Sequence, residues 1–154
     1  MADRAFAQGT SVPRAEIERV LSRYGATRFG TMTDPHGATV YFEHGSRQIQ
    51  LRVPMPDKGD KRFTHEPART WKRRTETERD ARWQAEYRRR WRVLVITVKA
   101  MLEAVESKVL TFDEAFLAHI VIPGTGKTLG AAIVPKLDAL YEGLSLPALL
   151  TENP

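Results

Sequence analysis

The 154-residue chain contains no cysteine. Disulfides and cysteine-based zinc sites are excluded, and a reducing compartment such as a cytoplasm fits. Histidine is scarce. His36, His44, His65 and His119 include no H-x-x-x-H pair and no H-E-x-x-H motif, so each reads as a turn or surface residue, and no metal site is expected. Serines and threonines lack a nucleophile setting such as G-x-S-x-G. Asp57, Asp60 and Glu66 read as solvated loop acids rather than nuclease carboxylates. With no catalytic constellation, the expectation is a protein without enzymatic activity or cofactor. Long apolar runs are missing too. Residues 93–98 are broken by Thr97 and are far shorter than the roughly 20 residues a spanning helix needs. The opening MADRAFAQGTSVPR has no apolar stretch of signal or anchor type. No membrane is expected among its partners.

One further absence is structural. No glycine or proline stands between Thr75 and Ile122. Thr75 and Glu78 form a capping box, and Trp83, Tyr87, Trp91, Leu94, Val98, Met101, Leu102 and Val105 recur at three- and four-residue steps. The pattern predicts a long helix over 76–107, with Trp83 and Trp91 in the core. Upstream, Ser11 and Pro13 open a helix over 13–24 that carries Ile17, Val20, Leu21 and Tyr24 and stops at Gly25. Period-two alternation then predicts strands at 27–33, 38–43 and 47–53, an antiparallel meander with one dry face that the first helix covers. Thr111 and Glu114 form a second capping box before a short helix carrying Phe112 and Phe116, and a last helix runs from about Pro135 to Tyr141. The fold class is α+β: an N-terminal helix on a three-stranded antiparallel meander, then a long helix and a small C-terminal helical part with a hairpin. Residues 1–12 read as a flexible arm, 13–154 as a single domain and 54–74 as a basic loop, with the apolar tail at 144–150 packing back on the body.

Within the C-terminal part, Pro123-Gly124-Thr125-Gly126-Lys127-Thr128 resembles a phosphate-binding loop. The motif G-x-x-x-x-G-K-[ST] requires a glycine at 121, where the chain has Val121. Asp113 and Glu114 lie upstream of the loop, although the acidic strand of such folds lies downstream. The stretch reads instead as a hairpin tip: Ile120-Val121-Ile122, a turn at 123–126, then Thr128-Leu129, with the two glycines supplying positive φ.

What the chain has in excess is positive charge: a formal net +5, with a pI near 9.7. Residues 58–92 hold 13 basic and 6 acidic side chains, a net +7, so the remainder is slightly acidic. Arginine dominates, which suits bidentate phosphate contacts. Trp71 lies beside Lys72-Arg73-Arg74, and a ring set among cations is what a single-strand surface uses. The expected nucleic-acid contacts are Arg69, Lys72, Arg73, Arg74, Arg79 and Arg82 on phosphates, with Trp71 stacking. Against this, Glu78–Arg82, Arg82–Glu86 and Glu86–Arg90 are i,i+4 neighbours that could neutralise part of the helix.

Glu16-Ile17-Glu18, Arg23-Tyr24-Gly25-Ala26-Thr27, Pro54-Met55-Pro56, Arg90-Trp91-Arg92, residues 99–106 and Phe116-Leu117-Ala118 together resemble a family of small uncharacterised bacteriophage and prophage proteins. The family carries no assigned activity. The resemblance implies a phage setting in a bacterial host cytoplasm, among proteins that handle DNA or counter the host. The expected function is non-enzymatic binding of nucleic acid, DNA rather than RNA, in phage DNA recombination or replication. The alternative is a protein-interaction module that inhibits a host defence or replication protein. The long helix leaves room for an oligomer.

Overall fold

The computed structural model describes residues 14–67 and 70–143. The arm at 1–12, Ser11 and Pro13, Arg69, and the apolar tail at 144–150 lie outside the described residues. The first helix, α1, occupies residues 14–23. Its end is a Schellman motif: Ala26 N–H donates to the Leu21 carbonyl (3.0 Å) and Gly25 N–H to Ser22 (3.2 Å), with Gly25 at φ +88°.

The meander follows as β1 (Arg28–Asp34), β2 (Gly37–His44) and β3 (Arg47–Pro54), antiparallel in the order β1-β2-β3. Asp34 Oδ1 accepts from the His36 N–H (2.7 Å) and shapes the first turn. Gly37 leaves it with so little room that a Cβ would sit 2.2 Å from the Val53 carbonyl oxygen. Alternation puts Ala38, Val40 and Phe42 of β2 on one face with Ile49, Leu51 and Val53 of β3, all buried.

The helix α3 (Glu76–Glu106) contributes Trp83, Tyr87, Trp91, Val95, Val98 and Leu102 to the same core. Helix α1 adds Ile17 and Leu21. The first helix covers the dry face as expected, and the cover is shared with α3, which contributes more buried residues. A 31-residue helix offers a longer apolar stripe than a three-turn one. The capping box of α3 forms as expected: Thr75 Oγ1 accepts from Glu78 N–H (3.3 Å), and Glu78 Oε2 accepts from Thr75 N–H (2.8 Å). Its C-terminus is a second Schellman turn, with Val109 N–H on Ala104 (2.9 Å) and Lys108 N–H on Val105 (3.1 Å). Here the left-handed residue is Lys108, φ +59°, rather than glycine.

Helix α4 (Phe112–Phe116) carries the second capping box, and a 3-10 turn (Leu117–His119) follows. Ile120 then pairs antiparallel with Ile49, so the chain returns to the free side of β3. Val121 pairs with Thr128 across the Gly-rich turn, which is the expected hairpin. The last helix differs from expectation. Helix α5 (Leu129–Tyr141) starts six residues early because Thr128 Oγ1 caps it by accepting from Ala131 N–H (3.2 Å). Leu129 is thus a helical residue rather than part of a returning strand, and Pro135 sits inside the helix. No described helix is long and apolar enough to cross a membrane.

Candidate nucleic-acid interface

The basic segment is not the loose loop its composition suggests. Asp57 Oδ1 accepts from Gly59 N–H (2.6 Å), and Asp60 Oδ1 accepts from Arg62 N–H (2.9 Å) to cap a one-turn helix, α2 (Lys61–Thr64). Phe63 of α2 is buried, and α2 packs on α3. A small clip follows. His65 and Arg73 pair antiparallel, Arg74 N–H donates to Thr64 O (2.8 Å), and Glu66 N–H donates to Lys72 O (2.9 Å). The acids of this segment therefore build turns rather than an acidic site.

Trp71 sits near the tip of the clip, 55% exposed and at φ +43°. A left-handed backbone costs a tryptophan about 1–2 kcal/mol relative to an ordinary conformation, so the clip's hydrogen bonds must hold it there. Lys61 Nζ lies 5.9 Å from the ring centroid, and the His65 ring meets it edge-on at 6.0 Å. The neighbouring residues in sequence are Lys72 and Arg73, both exposed. By contrast, Trp83 is buried with its ring N–H on Pro56 O (3.0 Å), and Trp91 is also buried. Trp83 also has Lys58 Nζ 4.7 Å from its ring centroid, but of the three tryptophans Trp71 alone is exposed.

The arginines divide into two groups. Arg74 turns inward, Nη1 donating to the carbonyls of Arg62 (2.9 Å) and Phe63 (3.2 Å). It ties α2 to the clip, a structural task not expected from the sequence. Arg79 pairs with Glu76 (3.5 Å) and Asp80 (3.2 Å). Of the three i,i+4 pairs expected on α3, only Glu86–Arg90 forms (2.7 Å), and Glu86 also takes Arg89 (2.8 Å). Glu78 is committed to its cap. Lys72, Arg73, Arg82, Arg88 and Arg92 form no ion pair among the described residues.

Arg82, Arg89 and Arg92 follow one side of α3 and, with Arg62 and Phe63, line a shallow groove of about 450 Å³. Arg88 projects from a different side, roughly 120° around the helix from Arg82. Helix α2 joins the two basic features, since Lys61 lies by the Trp71 ring while the adjacent Arg62 lines the groove. Sequence spacing alone did not single out Arg62, Arg89 or Arg92. The three- and four-residue steps 82, 85, 89, 92 were the signal that could have found the two on α3.

Glu86 sets the charge of this groove. Hydrogen bonds from Arg89, then Arg90, hold its carboxyl at about 2 instead of 4.5. A depressed carboxyl stabilises the fold above its unfolded value, and that contribution is lost as pH falls from about 4.5 through 2. Solvent reaches the group, so screening reduces the contribution to about 1 kcal/mol. Glu86→Gln is expected to lower stability by that amount at neutral pH. Urea unfolding of both proteins at falling pH should show the gap closing towards pH 2; a pH-independent gap would assign the loss to packing.

The Gly-rich turn is closed by its own hydrogen bonds. Thr125 Oγ1 donates to Ile122 O (2.9 Å) and accepts from Lys127 N–H (3.1 Å), while Ile122 N–H donates to Lys127 O (2.8 Å). A phosphate cradle needs such N–H groups free and a parallel core strand before them. Here they close the turn on itself, and the preceding residues pair antiparallel at a sheet edge. Histidines have separate settings. His44 stacks on Phe112 (4.3 Å), and burial lowers the pKa of His119 from its ordinary value. Among the described residues, no group of three or more His, Asp or Glu side chains could hold a metal ion. Compared with protein-family models, curated proteins and solved structures, the chain matches none.

Proposed function

We propose that the protein binds single-stranded nucleic acid without catalysing a reaction. A base stacks on Trp71, and the adjoining backbone passes Lys61, Lys72 and Arg73 and continues over Arg62 into the groove of Arg82, Arg89 and Arg92. The observation that carries this reading is the exposed Trp71, held in a left-handed conformation by a hydrogen-bonded clip and bordered by cations. A ring with an open face gives a sequence-tolerant platform, and cations beside it track the phosphates. The resemblance to phage proteins favours DNA and a role in phage recombination or replication.

Loss of one stacked base costs about 1–3 kcal/mol, so Trp71→Leu should weaken binding roughly 5- to 150-fold, and Trp71→Phe should retain part of the affinity. Anisotropy titration of a labelled oligo(dT) at low salt checks both. Oligonucleotide should also quench tryptophan fluorescence in the wild type but not in Trp71→Leu, because Trp83 and Trp91 are buried. No binding of DNA or RNA at low salt sinks the proposal.

A second reading, docking on a host protein, is favoured by α5. None of its described residues is buried, and Val134, Leu137 and Tyr141 (92% exposed) form an apolar outer stripe. A stoichiometric protein captured from nuclease-treated bacterial lysate, and lost with Leu137→Asp, would support it.

A further inference from the structure

The two edges of the sheet are treated differently. The free side of β3 is covered by Ile120 and Val121, the latter donating its N–H to Gln48 O (2.8 Å). On β1, no described residue pairs with the outer side. The alternation of an antiparallel ladder identifies which groups face outward. Met55 N–H donates to His36 O (2.8 Å), so the even-numbered residues of β2 bond β3 and its odd-numbered residues bond β1. Their partners on β1 are Arg28, Gly30, Met32 and Asp34. The N–H and C=O groups of Phe29, Thr31 and Thr33 therefore point away from the sheet. No lysine or proline interrupts β1, although those residues commonly protect an edge.

The sequence of β1, RFGTMTD, is self-complementary when run antiparallel about Thr31. A two-fold axis there places Arg28 opposite Asp34 of the second copy, twice. It sets Met32, 57% exposed, beside Gly30, over which a Cβ would meet nothing within 4 Å. Thr31 faces its own counterpart in the hydrogen-bonded pairing that the outward groups require. Arg28 and Asp34 also pair within their own sheet, with Glu43 (3.3 Å) and Arg52 (3.0 Å), so the cross-copy contacts extend existing ion pairs; size and hydrogen-bond phase agree in the same register.

We infer that the protein forms a symmetric dimer by antiparallel pairing of β1 with β1 of a second copy, joining two three-stranded sheets into one of six. The interface is isologous, as a two-fold axis demands. It does not depend on nucleic acid, so it stands or falls separately from the proposed function.

The absence of cysteine provides the test. Hydrogen-bonded partners across antiparallel strands have Cα atoms about 5.5 Å apart, within disulfide range, whereas residues displaced from the axis do not. Thr31→Cys should therefore form a disulfide-linked dimer under mild oxidation at least roughly tenfold faster than Met32→Cys, although Met32 is the more exposed. Sedimentation of nuclease-treated wild type should give twice the 17.5 kDa chain mass. Thr31→Pro, which removes only an outward N–H, should sediment as a folded monomer. A wild type that is monomeric at roughly 100 µM overturns the inference. So does a dimer that survives Thr31→Pro, or equal cross-linking of the two cysteine variants. If Thr31→Pro does not fold, the cysteine comparison decides.

Discussion

Joint replacement of Arg73, Arg82 and Arg92 by alanine is expected to weaken single-strand binding about 100-fold at about 0.1 M salt and to flatten the log–log salt dependence by about 2. Each cation that neutralises a phosphate releases condensed counterions, and for single strands each contributes about 0.7 to the slope. These three were chosen because they form no ion pair among the described residues, so their charge is available without breaking a contact. Arg79→Ala should change the slope little, since Glu76 and Asp80 already hold that guanidinium. Arg74→Ala should lower stability and leave the slope nearly unchanged, because its donors serve two carbonyls of α2. Anisotropy titrations at several salt concentrations distinguish these outcomes. Equal slopes for the triple variant and the wild type would remove the groove from the interface. The three side chains are exposed, so stability should move by no more than about 0.5 kcal/mol each.

Phe116→Ala is expected to cost about 3–5 kcal/mol, the largest stability loss among the variants considered. The ring is 0% exposed, meets Phe42 of the sheet edge-on at 5.8 Å, and stacks on Phe112 at 4.7 Å. It is therefore the buried anchor of the C-terminal part on the meander, beside the edge pairing of Ile120 with Ile49. Its removal takes away apolar burial and also leaves a cavity that rigid strands cannot collapse to fill. At about 2–4 °C per kcal/mol for a chain of this size, thermal unfolding should shift by roughly 6–20 °C. Phe112→Ala should cost less, since that ring is only partly buried. A loss below about 1 kcal/mol for Phe116→Ala would mean that the C-terminal part is not integral to the core.

The parts of the fold legible in the sequence are those governed by local spacing. Period-two alternation located the three strands to within a residue or so, because turn residues bound each run and one face must be apolar. Both capping boxes formed because Thr and Glu three apart satisfy orphan N–H groups wherever a helix begins. The α5 boundary was missed for the opposite reason. Pro135 reads as a helix start, but the threonine cap at Thr128 lies after a turn that closes only when Val121 and Thr128 pair.

At the candidate site, the charge count located the excess between residues 58 and 92, and the helical stripe that takes in Trp83 and Trp91 left Trp71 outside it. Sequence could not tell an arginine that is free from one already engaged. That distinction depends on which carbonyls and carboxylates the fold brings within reach: Arg74 meets α2 twelve residues back in sequence, and Glu86 chooses Arg89 and Arg90 over Arg82. Local pattern thus determined the three strands, the long helix, their order and the basic segment, since backbone hydrogen bonding and hydrophobic period act over a few residues. Only the tertiary structure decided that α3 is a main cover of the sheet, that the return of Ile120 closes the β3 edge while no described residue pairs along the outer side of β1, and that a hydrogen-bonded clip presents Trp71. Those outcomes rest on contacts between residues far apart in sequence, whose energies no short window contains.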